Sequence, residues 1–163
     1  MLENLLSFYA AVQRSSRGEF VEMYPDSVFV VQPFAPSESG MGGISTVMPN
    51  ASAGTEPCVA RVRKREGANS FGMMVTMGRA ANNDIYIPAK DVSKFHAYVM
   101  FGPDGPTLTD AESTFGTFLG SRKLTPQSER AALAEGAEVR LGSVRLTYYS
   151  PQGFHNWLLT HEL

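Results

Sequence analysis

The chain has 163 residues, 43% of them hydrophobic, and a formal net charge of −2. That length holds one domain of ordinary size with an appended segment, and the apolar fraction supports a real core. The charge excludes a protein built mainly to coat nucleic acid or an anionic membrane, and the single cysteine, Cys58, excludes an intramolecular disulfide and fits a reducing compartment.

At the N-terminus Leu2, Leu5, Leu6, Tyr9 and Val12 recur at spacings of three and four, which predicts a short amphipathic helix. No basic leader precedes it, and no apolar run reaches the roughly 20 residues that span a bilayer, so the expectation is a cytoplasmic protein. "SVFVV", Ser27 to Val31, reads as a buried strand or extended arm, closing a first segment at 1–32. Residues 33–57 are rich in Pro, Gly and Ser and read as a linker or long loop.

From Cys58 the texture changes to short β-like runs between turn signals. In "CVARVR", Ala60 and Val62 share one face and Arg61 and Arg63 the other. "FGMMVTM" places Phe71, Met73, Val75 and Met77 together, and "DIYIP" opposes Ile85 and Ile87 to Tyr86. In "SVRLTYY", Val144, Leu146 and Tyr148 alternate with Arg145, Thr147 and Tyr149. Many short strands with few helices predict an antiparallel sandwich or barrel over 58–150. Pro126 to Gly136 reads as locally helical, and 151–163 as a terminal helix laying Phe154, Trp157 and Leu158 on the sandwich edge.

Catalysis finds little support. His96, His155 and His161 lack the spacing of a zinc helix, and one cysteine builds no thiolate zinc site. "GMGG", Gly40 to Gly43, lacks the strand and helix that a dinucleotide fingerprint needs. Ser93 and His96 are close in sequence, but nothing supplies an orienting third group or an oxyanion site. The expectation is a non-catalytic protein without metal or cofactor. Binding explains the polar loops better: Arg79 offers a planar fork to an oxyanion, and a serine hydroxyl such as Ser93 suits the same anion. Taken singly, each is an ordinary turn residue.

The ordered run "GRAANNDIYI", "VSKFHAYVM", "LTDAESTFGTFLGSRKL", "LAEGAEVRLGSVRLTYY" resembles the forkhead-associated (FHA) domain. It follows that family's glycine–arginine, serine–x–x–histidine and aspartate–x–x–serine–x–asparagine–glycine–threonine motifs over about Cys58 to Tyr149. The resemblance implies an all-β fold, an antiparallel β-sandwich of the FHA/SMAD type with about eleven strands, flanked here by the two helical ends. It implies that loops at one end bind phosphothreonine in a partner protein, such as a Ser/Thr kinase or its substrate. Carried over by position, Arg79, Ser93 and Lys94 would hold the phosphate, Gly78 and His96 would be structural, and Gly116 and Thr117 would shape the neighbouring turn; Asn82, Asn83 and Thr114 are further candidates for clamping the peptide.

One position departs from the family. Its peptide-clamping asparagine falls on Phe115, whose ring cannot bond a main chain as an amide does. Losing such bonds costs roughly 1–3 kcal/mol, about a tenfold to hundredfold in affinity. Two readings follow: a phosphothreonine adaptor with an altered peptide grip, or a degenerate domain that binds partners without phosphate. Thr55, in the linker beside Glu56, is a candidate phosphosite for intramolecular binding, because a short tether raises effective concentration to roughly millimolar.

Overall fold

The computed structural model describes residues 1–36 and 56–161; Thr55 lies outside them. Twelve strands and three helices follow one another among those residues. A seven-stranded sheet contains β1 (Leu2–Asn4), β2 (Val28–Val31), β3 (Cys58–Arg61), β8 (Thr117–Leu119), β9 (Arg122–Lys123), β11 (Glu138–Leu141) and β12 (Val144–Tyr149). Its spatial order is β1-β3-β2-β12-β11-β8-β9. A five-stranded sheet contains β4 (Val75–Gly78), β5 (Ile85–Tyr86), β6 (Ala97–Gly102), β7 (Gly105–Asp110) and β10 (Ala131–Ala132), ordered β10-β7-β6-β4-β5. All pairings are antiparallel except β4 with β5.

Alternation builds the core between the sheets. Ala97 and Val99 of β6 meet Val139, Leu141, Val144 and Leu146 from the opposite sheet in one buried cluster. Fully burying a side chain of this size contributes about 1.5–3 kcal/mol. The four residues of β2 are all buried because both faces of that strand are covered. Phe29 and Val31 enter the sandwich core, whereas Val28 and Val30 face a second cluster beneath the helices.

That second cluster joins the two ends of the chain. Helix α1 (Leu5–Val12) is capped by the Asn4 side chain accepting the Leu6 N–H at 2.7 Å, and buries Leu5, Phe8 and Val12. Helix α2 (Arg17–Met23) starts at a Ser16–Glu19 capping box, two reciprocal bonds that satisfy orphan N–H groups. Helix α3 (Pro151–Thr160) starts at Ser150, with proline in the first turn where no N–H is needed. Phe8 meets Phe154 edge-on at 5.2 Å, and the Tyr9 hydroxyl donates to the His161 carbonyl at 2.7 Å.

Several local expectations change. The N-terminal region forms two helices rather than one; Leu2 belongs to β1, and Leu6 is 58% exposed because Phe8 completes the buried face instead. The strand expected from Phe71 begins only at Val75, since the chain turns at Gly72, leaving Phe71 and Met73 exposed. Pro126 to Gly136 is not helical. It carries β10, whose Ala131 pairs with Leu108, and Ala131 and Leu133 are buried at the two-residue period of a strand. Helix α3 packs over the outer face of the seven-stranded sheet rather than its edge, with Phe154 and Leu158 against Val28, Val30 and Val59.

Candidate functional site

Antiparallel pairing explains how Arg79 and Ser93 meet. Strand β4 pairs with β6 through Met77 opposite Ala97, so the residues leaving β4 lie beside those entering β6. The Arg79 N–H donates to the Ser93 carbonyl at 2.9 Å, and the Ala80 N–H to the Lys94 carbonyl at 3.2 Å. The intervening β5 returns parallel to β4, with Met77 opposite Ile85. Gly78 is required at this crossing: a Cβ there would sit 2.3 Å from the Lys94 carbonyl oxygen, which is main chain and cannot rotate away.

The side chains are oriented as firmly. Arg79 donates its Nε–H to the Val92 carbonyl at 2.9 Å, and its terminal nitrogens bond no other described residue. The guanidinium is thus anchored at its base, with its fork unused by the described residues. The Ser93 Oγ accepts the Thr114 N–H at 3.0 Å, so its own proton remains to be donated elsewhere. Lys94 is exposed beside it. Arginine, serine and lysine therefore lie along one short stretch of rim, an arrangement of donors suited to a multiply charged oxyanion.

His96 is wholly buried beneath the rim. Its Nδ1 faces the Ser93 N–H at 3.0 Å and its Nε2 the Gly116 carbonyl at 3.0 Å. A backbone N–H can only donate, so Nδ1 accepts and Nε2 carries the ring proton that it donates to Gly116. Burial holds the ring's pKa below its ordinary value of 6.5, against the Gly116 bond, which favours the cation. The neutral imidazole ties the Ser93 loop to the Gly116 loop.

The second loop is organised from Asp110, which is 1% exposed. Its carboxylate accepts the hydroxyls of Ser113 and Thr117 and the Ser113 N–H, and Ser113 Oγ accepts the Gly116 N–H at 3.0 Å. Gly116 has φ +88°, a left-handed conformation that costs other residues free energy. Asp110 and Ser113 thereby fix Thr114 and Phe115 at the surface. They stood in the motif from which the resemblance was read, but their service to the loop shows only in their bonds. Asn83 is a further hidden part: its buried side-chain amide donates to the Ala80 and Lys94 carbonyls at 2.8 and 2.6 Å. Being spent on the scaffold, Asn83 cannot stand in for a peptide clamp.

Asn82 is exposed, and its carbonyl accepts the Asn69 side-chain amide at 2.8 Å. Phe115 is 60% exposed and borders a shallow groove with Lys90, Asp91 and Ser143. It does not pack with Phe118 or Tyr98, whose rings are engaged by the Arg140 guanidinium and by Phe95. Among the described residues no cluster of His, Cys, Asp and Glu could hold a metal ion.

Comparison with known proteins follows the same outline. Residues 75–142 match the family model of the FHA domain. The ABC transporter ATP-binding/permease protein Rv1747 of Mycobacterium tuberculosis is 34% identical over 74 residues, 45% of this chain but only 8% of that protein. The chain thus spans a small fraction of the relative's length. Among solved structures, the FHA domain of an Arabidopsis thaliana hypothetical protein superposes with a TM-score of 0.52 at 17% identity, covering 77% of this chain and 85% of that one. The FHA domain of CT664 from Chlamydia trachomatis gives 0.50 at 15% identity, over 77% and 97%. Fold, motif order and family match agree on an FHA domain at residues 75–142.

Proposed function

We propose that this chain is a non-catalytic adaptor that binds phosphothreonine in a partner protein, with the phosphate held by Arg79, Ser93 and Lys94. The partner is then the substrate of a Ser/Thr kinase, or such a kinase itself. One observation carries the reading: the fork of Arg79, unused by the described residues, and the hydroxyl of Ser93 share a rim whose two loops are bonded to each other. A phosphate brings a charge of about −1.5 to −2, and each charge-assisted bond to it contributes about 1.5–3 kcal/mol. The test is fluorescence polarisation with matched phosphorylated and unphosphorylated threonine peptides. Selective binding that Arg79→Ala abolishes is the expected result; equal binding of the two peptides removes phosphate recognition.

A second reading rests on Phe115, an exposed ring at the position where the family's clamp is an asparagine. In that reading the domain keeps its fold and binds a protein partner through an apolar contact, without phosphate.

A further inference from the structure

The open half of the seven-stranded sheet carries a row of cations. Arg145 of β12 lies directly opposite Arg140 of β11, Arg140 opposite Phe118 of β8, and Phe118 opposite Lys123 of β9. All four point away from the core, since their neighbours Val139, Leu141, Val144 and Leu146 fill it. Like charges facing each other across a strand pair are destabilising. None of the ion pairs among the described residues offsets them. Glu138, one pleat along and opposite Thr147, is the acid on the same face.

The row is also pre-ordered. The Arg140 guanidinium lies 3.9 Å over the Phe118 ring, and one of its N–H groups donates to the Gly142 carbonyl at 2.8 Å. Stacking fixes the plane of the fork and leaves its remaining donors at the edge. Arg145 and Arg140 border a groove of about 550 Å³ with Gln32, Gly120, Ser121 and Glu138. The row joins the candidate phosphate site: the Gly142 N–H donates to the Gly116 carbonyl at 3.2 Å, and the Lys123 stem lies against Gly116.

We infer that Arg145, Arg140 and Lys123 form a second contact site that takes an acidic, extended segment of the same partner, flanking its phosphothreonine. Its place beside the phosphate rests on the function proposed above. The occupant follows from charge and spacing. Three strand spacings separate Arg145 from Lys123, about 14 Å, too far for one compact anion to span. An extended chain advances about 7 Å every two residues, so acids four residues apart match the ends of the row, Arg145 and Lys123. Guanidinium groups pair carboxylates in the bidentate geometry that a fixed fork favours.

The test uses the full chain and phosphothreonine peptides carrying four glutamates or four glutamines, placed on either side at several spacings. At low salt, a glutamate flank on one side tightens binding about tenfold over the glutamine flank, the sum of a few exposed ion pairs. The double variant Arg140→Gln/Arg145→Gln loses that gain and keeps its affinity for the glutamine-flanked peptide. Equal affinity for both flanks, or a gain that survives in the double variant, overturns the inference. If the glutamine-flanked phosphopeptide binds through Arg79 while glutamate adds nothing, the phosphate site stands and the second site falls. If phosphate makes no difference but glutamate binding still needs Arg140 and Arg145, the second site stands and the phosphate reading falls. Binding of phosphatidylserine vesicles through these arginines, with no glutamate effect, overturns a polypeptide occupant.

Discussion

His96 Nε2 lies 3.0 Å from the Gly116 carbonyl oxygen, while the opposite ring nitrogen takes the Ser93 N–H. One buried ring therefore sets the separation of the two loops that form the rim. His96→Leu leaves the Ser93 N–H without its partner, at a cost of roughly 1–3 kcal/mol, and removes one of the two donors to the Gly116 carbonyl, which keeps the Gly142 N–H. The expected result is a lower urea midpoint together with weaker phosphopeptide binding. The ring also makes stability depend on pH. Its folded pKa lies below the unfolded value near 6.5, so the unfolded chain binds the proton first. The contribution is complete above pH 6.5 and is lost as pH falls below it; urea melts between pH 5 and 8 check this, the slope shrinking in His96→Leu.

Arg79 tests the geometry of the proposed phosphate grip as well as its charge. Arg79→Lys keeps the cation but loses both the Nε bond to Val92 and the planar fork. It is expected to lose at least tenfold in phosphopeptide affinity, with stability lowered only by the one lost bond, about 0.5–1.5 kcal/mol. An affinity equal to the natural chain's would show that charge alone suffices.

Phe115 separates the two functional readings. Phe115→Asn places an amide on a loop already fixed by Asp110 and Ser113. A gain of about tenfold to hundredfold for the phosphopeptide is expected if the clamp alone is missing. Isothermal titration of both proteins with one peptide decides it, and no change removes a clamp role for this position.

Gly78→Ala probes the crossing of the two rim segments. The new methyl meets the Lys94 main chain at 2.3 Å, so the backbone must shift. Overpacking of this kind costs typically 1–3 kcal/mol. Thermal melting should show the loss, and phosphopeptide affinity should fall with it because Lys94 follows Ser93.

Cys58 is expected to be quiet. Burial pushes its thiol up to about 11, so almost no thiolate exists at pH 8. Ellman's reagent should label the native chain far more slowly than the urea-unfolded chain.

Much of the sandwich was legible because alternation states which face of a strand is buried. Val144, Leu146 and Tyr148 read correctly from their two-residue period alone. Alternation does not name a strand's neighbour, however: Val28 to Val31 read as a buried strand or an arm, and nothing in that run places it between β3 and β12. Pro126 to Gly136 misled for the opposite reason: its Ala, Leu and Glu favour a helix, but pairing with β7 overrides that preference. At the site, motif order singled out Arg79 and Ser93, whereas their contact depends on the pairing of β4 with β6. The work of Asn83 and Asp110 was hidden because a buried polar group is known by its partners.

The clasp between Phe8 and Phe154 bears on the order of assembly. A chain emerging from the ribosome exposes α1 long before α3 exists, so Leu5, Phe8 and Val12 wait without their final cover. The sandwich can condense earlier than its helical cap, and the late closure across nearly the whole sequence is the slow kind of contact. A nascent chain stalled before residue 150 would be a ready client for a chaperone.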